Sequence, residues 1–306
     1  MCTAISYRAD GCFFGRNLDL ERGYGEQVVI TPRNFVFEMR CSEKLQKHYA
    51  LIGMAAVINN YPLYFDAANE NGLCMAGLNF PNNAVYHNED ENKINISPFE
   101  FIPYVLGICR DIGEAERLLS KINLVNVNFS DKLLLSPLHW LISDGENSLT
   151  VESVKEGLRV YKNSIGVLTN NPPFLKQMER LQKYRNVFLQ KQPQNDKSEN
   201  YSLGMESEGL PGGFLSADRF VRAAFVKQKS PTDIGGEQAI NHFFHILGSV
   251  AMPKGCVTTP SGEFEYTRYS CCIDLNKIDY YYTTYDSSQR LKFSLSDYNL
   301  GGKNLI

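Results

Sequence analysis

The first 80 residues alternate short apolar runs with turn dipeptides, the pattern of β-hairpins. Strands are predicted over residues 3–7 and 12–17 around an Asp10-Gly11 turn, then over 27–30 and 49–58. A further turn falls at Asn71-Gly72, and residues 73–79 read as a buried strand ending at Pro81. Asx and Gly both tolerate positive φ, so either dipeptide between apolar runs favours a tight reversal. From Ser97 the period lengthens to that of a helix. Ser97-Pro98-Phe99-Glu100 is a capping box with proline at the first helical position, opening a helix over 99–109. Asp111 and Glu114 repeat the device for a second helix that carries Ala115, Leu118, Leu119 and Ile122 on one face, and both helices are expected to cover core.

Strands return at 138–143, 149–153 and 158–161, joined by Asp144-Gly145 and Glu156-Gly157 turns. After Asn171-Pro172-Pro173 a polar helix runs to about residue 190, and 191–208, rich in Gln, Asn, Ser and Lys, reads as a loop or mobile excursion. Helices are predicted at 216–229 and 236–250, and strands at 265–275, 280–285 and 291–294. The order β-rich, αα, β-rich, αα, β-rich fits sheets covered by paired helices in a single domain over 1–306. Gly23-Tyr24-Gly25 lacks the lysine and the helix of a phosphate loop.

Composition narrows the function classes. Of 306 residues 43% are hydrophobic and 21% charged, which excludes disorder, and 31 basic against 34 acidic side chains leave a net charge of −3. No whole-chain argument for nucleic acid or an anionic membrane survives that balance. The longest apolar run, residues 50–58, is half the length of a membrane span, and the first ten residues lack the basic start and apolar core of a secretory signal. A cytoplasmic protein is therefore expected, with its eight scattered cysteines as reduced thiols. His242 and His245 could share a helical face, but no further ligands lie near them in sequence and no metal site is expected.

Chemistry enters at the second residue. A small side chain after Met1 permits removal of the methionine, which would leave Cys2 with both a thiol and a free α-amine: a nucleophile with its own base. These groups ordinarily titrate near ~8.5 and ~7.7–8.0, so a proton passes between them with little driving force. Cys2 also reads as a small buried residue of the first strand. A Ser-His-Asp site has no support: G-x-S-x-G is absent, and His139 lies between Leu138 and Trp140 in a strand that reads as buried.

A series of segments spread over nearly the whole chain resembles the choloylglycine hydrolase family, the N-terminal-nucleophile amidases that include conjugated bile salt hydrolases and penicillin V acylases. They are Met-Cys-Thr at 1–3, Phe-Gly-Arg-Asn-Leu-Asp at 14–19, Pro-Arg-Asn-Phe at 32–35, Asn-Glu-Asn-Gly-Leu at 69–73 and Ala-Gly-Leu-Asn-Phe-Pro at 76–81. Leu-His-Trp-Leu-Ile-Ser-Asp at 138–144, Gly-Val-Leu-Thr-Asn-Asn-Pro at 166–172, Gly-Leu-Pro-Gly-Gly-Phe at 209–214 and Ser-Ala-Asp-Arg-Phe at 216–220 complete it. The resemblance implies an α+β fold, a four-layer αββα sandwich with the nucleophile at the start of a central strand.

It also implies roles. Cys2 would be the nucleophile; Arg16, near it, would favour the thiolate; and Asp19 would hold the α-amine by a charge-assisted hydrogen bond. Asn79 through its backbone N–H and Asn170 through its side-chain amide would stabilise the tetrahedral oxyanion, and Arg219 would join the charged network. Taken singly, Arg16 reads as a surface cation, Asp19 as a turn or N-cap residue and each asparagine as a loop residue. Arg219 is the exception, because a cation in the first turn of a helix opposes the dipole.

Asn79 in Gly-Leu-Asn-Phe resembles the bile salt hydrolase branch, where penicillin V acylases more often carry an aromatic residue. Tyr24, Phe65, Phe129, Leu133 and Leu135 stand where a steroid pocket would be lined, though each also reads as core. The implied activity is hydrolysis of glycine- or taurine-conjugated bile salts without metal or organic cofactor, with acyl transfer to amines as a possible side reaction, in a homotetramer. The alternatives are a penicillin V or N-acyl-homoserine lactone acylase and, in another class, a catalytically silent binder of steroids or acyl amides.

Overall fold

The structure is a computed structural model that describes residues 1–189 and 204–306. Two antiparallel sheets stack face to face. The first runs in spatial order Val167–Leu168, Cys2–Ala9, Gly11–Leu20, Tyr266–Asp274, Asp279–Thr284 and Leu291–Ser294. The second runs Gly157–Lys162, Ser148–Val154, Leu138–Ser143, Cys74–Asn79, Tyr61–Asn69, Leu51–Ile58 and Gln27–Thr31. Helices Ser216–Lys229 and Gly236–Gly248 cover the outer face of the first sheet, and Phe101–Ile108 with Ile112–Leu119 cover that of the second. The result is the four-layer αββα sandwich.

Alternation along the first strand shows why the layers form. Tyr7 points outward to the ring of Phe243, with centroids 6.4 Å apart, whereas Ser6 points inward to Ser143, Oγ to Oγ 2.9 Å. Cys2 and Ala4 share the parity of Ser6 and therefore face the second sheet. Each fully buried residue of the kind of Phe14 or Ile52 contributes roughly 1.5–3 kcal/mol of hydrophobic stabilisation. Gly11, at φ 128°, supplies the left-handed geometry of the first hairpin turn.

Several expectations need correction. Strand Tyr61–Asn69 was not anticipated, because Pro62 in its second position argues against a paired strand. The signal that could have found it is Asn59-Asn60, at φ 52° and 60°, a hairpin turn closing onto the 51–58 run. The helix expected over 99–109 is a 3₁₀ turn, Pro98–Glu100, followed by Phe101–Ile108, and the Glu100 carboxylate accepts the Ser97 N–H at 3.0 Å as the capping box requires. Ile122 lies beyond the helix that ends at Leu119, in a short strand Ile122–Leu124 parallel to Ile94–Ile96. The helix after Pro173 breaks at Tyr184 into Phe174–Lys183 and Arg185–Leu189. The excursion expected over 191–208 lies mostly outside the described residues, and its last part is a 3₁₀ turn, Met205–Ser207.

Candidate active site

Cys2 opens the first strand and is only 2% exposed, yet it lines a cavity of about 290 Å³. The strand Gly11–Leu20 pairs with it so that Cys2 stands opposite Leu18. On that partner strand Arg16 and Asp19 have opposite parity and leave the sheet on opposite faces. Arg16 reaches across the gap and donates from Nη1 to the carbonyls of Phe65 and Gly77, at 3.0 and 2.6 Å. Asp19 belongs to the interior of this strand rather than to a turn. Its Oδ1 accepts the Thr267 hydroxyl at 2.6 Å, and its Oδ2 faces Arg219 Nη1 at 3.7 Å. Among the described residues neither Arg16 Nη2 nor Asp19 Oδ2 has a hydrogen-bond partner.

Arg219 is fully buried one turn into helix Ser216–Lys229, and its environment accounts for a cation where the helix dipole disfavours one. It donates to the Cys2 carbonyl at 2.7 Å, to Thr3 Oγ1 at 2.6 Å, to Asn170 Oδ1 at 2.9 Å and to the Phe214 carbonyl at 3.1 Å. Burial lowers its pKa, with Asp19 and Cys2 pulling the other way. Burial alone would also lower that of Arg16, but its electrostatic interactions with Cys2, Tyr269 and Asp66 outweigh it and the net shift is upward.

Asn170 ties the site together. Its Oδ1 accepts the Cys2 N–H at 2.7 Å, and its Nδ2 donates to the Asn79 carbonyl at 2.7 Å. Asn79 ends the strand Cys74–Asn79, where Phe80 N–H bonds the Pro137 carbonyl across the ladder. Antiparallel alternation then turns the Asn79 N–H and C=O away from that neighbour, towards the cavity side. Its other neighbour has already peeled away, because pairing with Tyr61–Asn69 ends at Ala76 opposite Asp66. A β-bulge causes this: Met54 pairs with Asp66 and Ala55 with Tyr64, so Phe65 is the extra residue. The bulge frees the Phe65 carbonyl for Arg16 and sends its ring to Tyr24, 6.3 Å between centroids.

All five residues expected to line a steroid pocket, Tyr24, Phe65, Phe129, Leu133 and Leu135, line this cavity. Leu20, Ile58, Leu63, Phe99, Ile102 and Leu134 line it too and were not anticipated. Leu134, 67% exposed, marks the rim, whereas Phe99 comes from the 3₁₀ turn Pro98–Glu100 and Ile102 from the helix that follows it, packed behind the second sheet. Asp66 is the other unanticipated residue, since it falls in the strand that the sequence pattern did not reveal. His139 is buried, its Nε2 on the Thr169 carbonyl at 2.7 Å and its ring stacked on Phe80. His242 contacts Ser230 Oγ at 2.8 Å.

With Met1 in place the Cys2 nitrogen is an amide; the Met1 ammonium meets Glu265 and donates to the Asp19 carbonyl at 2.7 Å. No helix among the described residues is long and apolar enough to cross a membrane.

A cysteine at the head of a strand in an αββα sandwich, with its backbone nitrogen beside buried polar groups, is the architecture of the N-terminal-nucleophile hydrolases. The chain belongs to the choloylglycine hydrolase family of linear amide C–N hydrolases, whose model matches residues 2–306. It is 49% identical to the bile salt hydrolase/transferase of Lactiplantibacillus plantarum, over 100% of this chain and 96% of the relative. A mutant of the conjugated bile acid hydrolase from Clostridium perfringens superposes with a TM-score of 0.91 at 34% identity, covering 100% of this chain and 96% of the other. The penicillin V acylase of Agrobacterium tumefaciens, 22% identical, shares the fold with a TM-score of 0.81 over 99% and 90% of the two chains.

Proposed function

We propose that this protein hydrolyses the amide bond of glycine- or taurine-conjugated bile salts with Cys2, freed of Met1, as nucleophile. The observation that carries the reading is the position of Cys2, whose side chain opens on an apolar cavity while its N–H donates to Asn170 Oδ1 and its carbonyl accepts from Arg219. Thiol and amine thus leave one residue into two environments, one shaped for an apolar acyl group and one polar.

In the proposed reaction the thiolate attacks the amide carbonyl, and the Asn79 N–H with the second Nδ2 proton of Asn170 receives the oxyanion. The α-ammonium gives its proton to the leaving nitrogen of glycine or taurine. A thioester remains. Water, losing its proton to the same amine, attacks it and restores the thiol with release of free bile acid. The unpaired Arg16 Nη2 supports its role as counter-charge to the thiolate, and the unfilled Asp19 Oδ2 supports its role as acceptor for the ammonium. No step calls for a metal or organic cofactor. The single domain, the cytoplasmic location and the homotetramer implied by the resemblance belong to the same proposal.

The test compares glycocholate, taurocholate and penicillin V as substrates of the processed protein and of Cys2→Ala. Free cholate from the wild type only is the expected result. Preferential cleavage of penicillin V would move the assignment to the acylase branch. Turnover by Cys2→Ala above a tenth of wild type would remove Cys2 as nucleophile, and binding without turnover that survives thiol alkylation would make the protein a silent binder.

A further inference from the structure

Four charged side chains are completely buried around the head of the first strand: Arg16, Asp19, Arg219 and Asp66. The first three lie in the family-like segments. Asp66 follows the bulged Phe65 and bridges the two sheets, its Oδ2 accepting the Tyr269 hydroxyl at 2.5 Å and its Oδ1 the Tyr280 hydroxyl at 2.7 Å. The Cys271 thiol approaches Oδ1 at 3.6 Å. Every contact is a donor aimed at the carboxylate, the pattern an ionised group calls for. Burial pushes the Asp66 pKa up, opposed by the charge of Arg16 and the two phenols.

The clamp acts on Arg16 by two routes. Mechanically, Tyr269 and Tyr280 hold the residue next to Phe65, whose carbonyl carries Arg16 Nη1. Electrostatically, Asp66 is the second negative charge against two guanidinium groups, which leaves the buried site neutral before the thiol and amine exchange a proton. Without it the site would hold a net positive charge in a region that water does not screen.

We propose that Asp66 is a positioning residue of this reaction: with Tyr269 and Tyr280 it fixes the Arg16 guanidinium beside Cys2 and limits how strongly that cation draws the thiol into its anionic form. The inference rests on Cys2 being the nucleophile. The groups facing Asp66 are Arg16, Tyr269, Cys271, Tyr280 and Cys74; those facing Cys2 are Arg16, Asp19 and Arg219, together with the Met1 ammonium and its partner Glu265 before processing.

The test measures iodoacetamide alkylation of the processed protein from pH 5 to 9.5, with the modified residue mapped to Cys2 by peptide mass. Asp66→Asn keeps the shape and removes the charge. Its half-plateau pH for alkylation should move down by about 0.5–1 unit, since a group that opposed the thiolate is gone. Tyr269→Phe and Tyr280→Phe weaken the ionised form of Asp66 and should move it less, in the same direction. In each variant kcat for taurocholate should fall by about 10-fold to 100-fold at unchanged KM, the scale of a misplaced catalytic group. An unchanged alkylation profile in folded Asp66→Asn overturns the proposal; if that variant does not fold, an unchanged profile in both tyrosine variants does so. A purely structural role would lower the melting temperature and leave the profile alone, which also counts against it. Failure of the Cys2 assignment shows elsewhere, as turnover in Cys2→Ala.

Discussion

Replacing Asn170 by Asp separates the two jobs its side chain is proposed to do. The amide oxygen accepts from Cys2 N–H and from Arg219 Nη2, while the amide nitrogen donates to the Asn79 carbonyl and would offer its other proton to the oxyanion. Asn170→Ala removes everything. It forfeits a charge-assisted hydrogen bond worth about 1.5–3 kcal/mol and two neutral ones of about 0.5–1.5 each, and it leaves Arg219 one acceptor short. A loss of about 3–5 kcal/mol would bring a domain of ordinary stability close to unfolding, so an inactive alanine variant would say little. Asp keeps the oxygen and sets a carboxylate against Arg219, while its second oxygen meets the Asn79 carbonyl where an N–H stood. That repulsion costs roughly 1–3 kcal/mol and the new ion pair offsets part of it, so the variant should unfold within about 2 kcal/mol of wild type. Its kcat should nevertheless fall by about 10²–10³, the loss found when one oxyanion donor is removed, or about 2.7–4 kcal/mol of barrier. The assays are urea unfolding and cholate release under saturating glycocholate, compared at the top of each pH–rate profile because the carboxylate also favours the protonated amine. A stable Asp variant that keeps more than a tenth of wild-type kcat would refute the oxyanion role of Asn170.

Three further outcomes are expected. A chain that retains Met1 has an amide at Cys2, already donating to Asn170, with no basic nitrogen to take a proton; protein shown by intact mass to be unprocessed should not turn over, and full activity would eliminate the α-amine as base. The thioester should also be open to amines, so taurocholate with millimolar quantities of a second amino acid at mildly alkaline pH should give new cholyl amides by mass spectrometry, absent with Cys2→Ala; only free cholate across pH 6–9 would confine the enzyme to hydrolysis. Lys227 donates to the Ile165 carbonyl at 2.6 Å, and burial pushes its pKa down from the ordinary 10.5 to about 8. Between those values the unfolded chain binds the extra proton, so the contribution of Lys227 to stability rises with pH through that window, and its cost is fully present below it. The urea midpoint of wild type relative to Lys227→Met should therefore increase from pH 7.5 to 10, and a flat difference would contradict the shift.

Local signals in this chain are strong where one element needs no partner to be recognised. The 138–143 strand, the 216–229 helix and the 291–294 strand have the predicted boundaries, because the apolar period of each is readable without a partner. The first hairpin is legible only in part: the strands expected over 3–7 and 12–17 run over Cys2–Ala9 and Gly11–Leu20, and Asp19, which by itself reads as a turn residue, lies inside the second strand, on the face opposite to Arg16. Strand Tyr61–Asn69 was hidden because Pro62 contradicts the local rule, and only the neighbouring strand and the core behind it make the pairing favourable. With it went the bulge at Phe65, the opening into which Arg16 inserts, and Asp66. Asn170 and Arg219, 168 and 217 residues from Cys2 along the chain, meet it because two sheets and a helix pack in one relative placement. Sequence periodicity decided which face each side chain leaves by. Distance between faces is a property of packed layers, and burial of these charges without water gives each short contact its strength, so the site itself was decided by the tertiary structure alone.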